Sequence, residues 1–137
     1  MSDSSLKPRR EFKNIGIGDI LRYRLPLAGK VSILHRVSGV LLFLALPIVI
    51  LPLFERTLIS EIGFDSFKEI VTNPFVKLIL LALIWGYLHH FCAGIRFLFL
   101  DKHVGLDKDS SRKSAAAVLV ISILLTLVFG LKLFGVF

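Results

Sequence analysis

Polar and apolar positions along this chain are sorted into blocks rather than alternating within each segment. Three blocks are almost free of charge: residues 33–54, 74–100 and 115–137. A helix lying on a soluble core would interrupt such runs with a polar face recurring every three or four positions. Each block instead supplies the roughly 20 residues that a helix needs to cross a hydrocarbon layer. The pattern predicts an all-α integral membrane protein with three transmembrane helices. Pro47 and Pro52 fall in the outer half of the first block, where a membrane helix can kink and still satisfy its backbone internally. Pro74 suits the first turn of the second helix, and Lys132 is close enough to the end of the third to reach the surface.

Composition sharpens this picture. With 55% hydrophobic residues and a mean hydropathy of +0.78 over 137 residues, an ordinary soluble domain is excluded, and the length permits one domain. The net charge of +7 would suggest nucleic acid as a partner of a soluble protein. Here the basic residues flank apolar runs, so topology accounts for them and no nucleic acid is expected. The chain through Arg36 carries eight Lys and Arg, residues 55–77 carry three against four acids, and residues 96–113 carry five against three. The positive-inside rule then places the N-terminus and second loop in the cytoplasm, and the first loop and C-terminus outside.

Residues 1–31 are expected to form a basic cytoplasmic arm ahead of a three-helix anchor, 32–137. The arm does not look like a signal peptide, since its first apolar run starts late, and Asp3, Glu11 and Asp19 argue against a transit peptide. A bacterial inner membrane is the expected location. Cys92 is the single cysteine, so no internal disulfide can form, and any iron–sulfur cluster must belong to another chain.

Candidate chemistry sits in two of the blocks. In "WGYLHHFCAGIRFLFLD", residues 85–101, two histidines are adjacent within apolar surroundings. Imidazole in hydrocarbon is expensive and points to a use. Ala82, Gly86, His90 and Gly94 recur four apart and share one helical face, whereas His89 lies about 100° away. Two readings fit this stripe. Bare glycine backbone lets a flat macrocycle lie beside an imidazole aimed at its iron. The same stripe is also a good helix–helix packing surface, with the histidine hydrogen-bonding across it. His89 is expected against a partner helix or a polar cavity.

The first block opens with "SILHRVSG", residues 32–39. Ser32 and Arg36 are one turn apart, and Ser32, His35 and Gly39 share an overlapping face. A hydroxyl donor beside a fixed guanidinium fork suits a quinone head group or carboxylates such as haem propionates. The alternative is that Arg36 merely anchors the helix at the inner boundary.

Taken together, "SILHRVSGV", the pattern H-x3-GIR-x4-D (His90, Gly94, Ile95, Arg96, Asp101) and the lead-in "RYRLP" of Arg22 to Pro26 resemble the cytochrome b membrane anchors of succinate dehydrogenase (complex II). The resemblance implies one b-type haem, shared with a second small anchor subunit. His90 would be one axial ligand and the second anchor would supply the other. Gly86 and Gly94 would lie against the haem face, with His35 and Arg36 near the propionates. Ser32 and Arg36 would line the ubiquinone site.

It further implies a flavoprotein subunit that oxidises succinate and an iron–sulfur subunit that carries the electrons towards ubiquinone. This chain would hold no dicarboxylate site and no catalytic residue of its own. One departure stands out: the family usually reads GIRH, and this chain has Phe97 in place of that histidine. His103 or the partner anchor would have to supply an imidazole there. Two other readings share these features, the anchor of a quinol:fumarate reductase and a haem-free membrane scaffold. A transporter is disfavoured, because the chain has no internal repeat and no pair of broken helices.

Overall fold

The computed structural model describes residues 16–136, so the first 15 positions of the expected basic arm lie outside the described residues. A short helix α1 (Ile17–Arg22) is followed by an extended link ending at Pro26. Pro26 starts α2 (Leu27–Ala45): its extended backbone precedes the first turn, and its carbonyl accepts from the Lys30 amide at 3.1 Å.

The helix then passes through a single π turn, Leu46–Ile50, into α3 (Leu51–Ile59). Pro47 and Pro52 lack the N–H that an α-helical ladder needs at their positions. The backbone answers by shifting its pattern, with the Leu51 amide bonded to the Leu46 carbonyl five residues back. Leu27–Ile59 is thus one helix of 33 residues. It begins ahead of the expected span 33–54, and the expected boundary between residues 31 and 32 falls inside α2. Ser32, His35 and Arg36 therefore have helix on both sides.

Residues 61–72, expected as loop, form helix α4 (Glu61–Thr72). Ser60 caps it by accepting from the Gly63 amide at 3.0 Å. Gly63 is required there, because a Cβ would run into the Arg56 carbonyl. Helix α5 (Pro74–Asp101) opens with Pro74 at its first position, as expected, and Asn73 accepts from the Phe75 amide at 2.9 Å. It ends where His103 adopts the left-handed conformation (φ 61°), with the Val104 amide returning to the Phe99 carbonyl. Helix α6 (Lys108–Leu133) starts before the expected residue 115. Among the described residues the chain is entirely helical apart from turns and links, and three of its helices are long and apolar enough to cross a membrane.

The bundle is held by α5, which packs on both α6 and α2. On α6 the buried positions are Ala115, Val118, Ser122, Thr126 and Gly130, a stripe of small and hydroxyl residues. Ser122 and Thr126 donate to the Leu119 and Ser122 carbonyls of their own helix, so burying them leaves no hydroxyl unpaired. A Cβ at Gly130 would lie 2.9 Å from Leu81 Cδ1, so a side chain there would make that leucine shift. Outward, Phe43, Ile48, Leu98, Leu127 and many like them are exposed, as a lipid-facing surface requires.

Asp107 caps α6 by accepting from the Ser110 amide at 2.9 Å, and this bond holds its carboxyl below the ordinary value of 3.8. A lowered carboxyl stabilises the folded state above its unfolded pKa and loses that contribution as pH falls through the folded one. Hydrogen exchange at Ser110 should therefore accelerate as pH drops below about 4, after correction for intrinsic rates. Asp107→Asn should largely remove this dependence.

Candidate functional site

The two "HH" histidines face opposite fates. His90 turns onto α2, where its ring stacks on that of His35, with centroids 4.2 Å apart and planes 9° from parallel. Its Nδ1 is 3.0 Å from the His35 carbonyl oxygen and 3.3 Å from Ser38 Oγ. A carbonyl can only accept, so Nδ1 carries the proton and donates. Ser38 donates to the same carbonyl at 3.0 Å. In the neutral ring Nε2 is then the nitrogen with the free lone pair. No described residue bonds to it, and the protein does not seal it off.

Glycines set the space around this pair. A Cβ at Gly39 would lie 2.9 Å from His90 Cε1, so α2 must be bare for the ring to sit there. A Cβ at Gly94 would make ordinary contact with His35 Nε2 at 3.7 Å, and one at Gly86 would meet nothing within 4 Å. The stripe read from the sequence thus serves two purposes. Gly94 lies beneath His35, while Gly86, one turn before His90, faces away from the rest of the chain.

His89 is fully buried, its ring 5.4 Å from that of Trp85, and neither ring nitrogen has a hydrogen-bond partner among the described residues. Of the two surroundings expected for it, a partner helix or a polar cavity, the structure shows helices: it lies inside this chain's own bundle, where α5 packs on α2 and α6. One helical step of about 100° separates the outward-opening ring from the enclosed one.

Ser32 is half-buried and Arg36 is exposed on the same side of α2. The structure brings His35 onto His90 but gives neither Ser32 nor Arg36 a side-chain hydrogen bond among the described residues. Phe97, standing where the family usually has histidine, packs its ring 5.0 Å from His35. It supports that imidazole by contact and adds no further one. His103 is exposed at the end of α5 with its backbone committed to the cap.

Sequence reading gave no role to two groups. Ser38 is visible only as a hydroxyl one turn after His35, yet it is buried and joins both imidazole-bearing helices. Arg96, 6% exposed, extends to α6, where Nε donates to Ser114 Oγ at 3.0 Å and Nη2 to Ser111 Oγ at 3.0 Å. Its guanidinium also covers the Phe97 ring at 5.4 Å. The signal was the serine pair three apart at the start of α6, on one face.

Among the described residues the protein is helical, with an imidazole held ring-on-ring between two helices long and apolar enough to cross a membrane. Residues 18–129 match the family model of succinate dehydrogenase/fumarate reductase transmembrane subunits. The chain belongs to that family. It is 32% identical to the succinate dehydrogenase cytochrome b556 subunit of Rickettsia felis over 105 residues, covering 77% of this chain and 81% of the relative. It is 30% identical to that of Coxiella burnetii over 112 residues, 82% and 90% of the two chains. With that of Paracoccus denitrificans it shares 32% over 116 residues, 84% and 87%.

Proposed function

We propose that this chain is the larger membrane anchor of a succinate:ubiquinone oxidoreductase, holding a b-type haem through His90 and forming part of the quinone site with Ser32 and Arg36. The observation that carries the reading is the His90 ring, whose Nδ1 donates to the His35 carbonyl and leaves Nε2 available. Ligating histidines characteristically donate their other nitrogen to such an acceptor, which fixes both tautomer and direction. The residues present therefore fit a haem iron: a neutral imidazole in register, with bare Gly86 one turn away. When bound, a haem supplies a one-electron store and fills the space between two anchor subunits. The second anchor would provide the other iron ligand.

His35 and Arg36 are the groups for the propionates, His35 stacked on the ligand ring and Arg36 exposed beside it. Ser32 donates to a quinone oxygen. Arg36, always cationic, stabilises the negative charge that develops there as the quinone accepts electrons, an effect enlarged by poor hydration. Succinate oxidation falls to the flavoprotein subunit and electron delivery to the iron–sulfur subunit. Protons reach the quinone from the cytoplasmic side of a bacterial inner membrane, with the N-terminus inside and the C-terminus in the periplasm.

Ser32→Ala separates the quinone role from the haem role. The expected result is a normal haem spectrum and normal assembly, with ubiquinone reduction lowered roughly tenfold, as for one lost hydrogen bond to a developing charge. Unchanged quinone kinetics would remove Ser32 from the site.

A further inference from the structure

An open cavity of about 600 Å³ lies between the N-terminal ends of α2 and α6, away from the His35–His90 pair. Pro26, Leu27, Ala28 and Leu106 give it an apolar lining, and Lys30, Lys108 and Arg112 bring three cationic side chains, with Ser111 beside them and no acidic residue among the lining. The nearest acids in sequence are Asp107, engaged with the Ser110 amide, and Asp109, exposed on the first turn of α6.

Behind Ser111 stands Arg96, more than nine-tenths buried. Among the described residues its partners are two serines and the Phe97 ring, none of them a carboxylate. A buried cation without a counter-charge is costly, and an anion on the far side of Ser111 would offset that cost. Arg96 donates to Ser111 Oγ, which leaves the serine's own proton free for another acceptor. The start of α2 adds to this field. Pro26 offers no side-chain cap, so the first-turn amides have no partner from that residue.

We propose that this cavity binds the phosphate of an acidic phospholipid, with Lys30, Lys108 and Arg112 around the phosphate, Ser111 donating to it, and Arg96 fixing Ser111 from behind. A lipid is favoured over a soluble anion by placement. The cavity sits where two candidate spans begin, at Leu27 and at Lys108, and the ends of a span meet the head-group region that flanks the hydrocarbon. Its apolar lining suits the glycerol and upper acyl region, and further along the same two helices Ile33, Val37, Val120 and Leu124 are exposed apolar residues.

The test uses the assembled complex, purified in neutral detergent and washed free of loose lipid. Bound lipid is counted by native mass spectrometry after adding phosphatidylglycerol, phosphatidylcholine or inorganic phosphate. The wild type should retain phosphatidylglycerol in preference to phosphatidylcholine, and millimolar phosphate should not displace it. Lys30→Gln/Arg112→Gln should lower that retention by roughly tenfold or more, as expected for two cations near a lipid phosphate. Lys132→Gln, a charge loss at the opposite end of α6, should leave it unchanged. The haem spectrum serves as the check that the double variant is assembled. Equal retention of the two lipids, or no difference between wild type and double variant, overturns the proposal. Displacement by free phosphate would make this a soluble-anion site and overturn the lipid assignment.

Discussion

A His90→Leu variant, co-expressed with its partner subunits, should lose at least about tenfold in haem per complex, read from the dithionite-reduced-minus-oxidised spectrum. Removing only a hydrogen-bond partner of a ligating histidine commonly costs 10–100-fold in metal affinity, so removing the ligand costs no less. Ser38 keeps its own bond to the His35 carbonyl in this variant. His89→Leu is the control. That ring lies among this chain's own helices with no free face, so its loss should leave the spectrum in place. Gly39→Val should reproduce the His90 effect in part, because a Cβ 2.9 Å from His90 Cε1 must push the ring aside. A full b-type signal in the His90 variant would leave that residue as a packing histidine and move the ligand elsewhere, to His89 or the partner chain.

Arg96→Ala should destabilise the assembled complex by about 2–4 kcal/mol, combining lost hydrogen bonds from a charged donor with lost stem packing. The loss should appear in hydrogen exchange first at the start of α6, where Ser111 and Ser114 would lose their α5 partner. Arg96→Lys should recover less than half of it. An ammonium cannot place one donor on each of two serines while lying flat over Phe97. Thermal stability equal to the wild type in both variants would mean that α5 and α6 are held by the small-residue stripe alone.

Much of the fold was legible because membrane spans obey a one-dimensional rule. Apolar length and flanking charge located all three helices, and Pro74 marked the start of α5. The ends were less legible, since a helix continues into polar residues as long as its caps and ladder allow. Pro26 rather than the hydropathy edge fixes the start of α2, and Asp107 that of α6. α4 escaped because its half-buried face, Gly63, Phe67 and Val71, is too short for a span and was read as loop.

At the site, helical spacing separated His90 from His89 but could not say which faces lie inside the chain. That depends on which side α2 packs, a long-range choice that no local pattern encodes. The stack of His35 on His90 and the bridging place of Ser38 follow from it. Arg96 was read only as part of a motif, because a cation satisfied by two serines lacks the opposite charge that would have flagged it.

The π turn at Leu46–Ile50 divides the first span into two phases. Each residue advances an α-helix by about 100°, so the extra residue held in that turn sets everything beyond Ile50 back by roughly that angle. Val31, His35 and Ser38 lie before it, while α3 and the α4 helix packed on it lie after. Loss of one residue within 46–50 would remove that offset and swing the outer hairpin about the axis, yet leave the imidazole stack in register. The outer third of this anchor can therefore change length by a residue, and re-aim its exposed apolar surface, without any change in the half that carries the histidines.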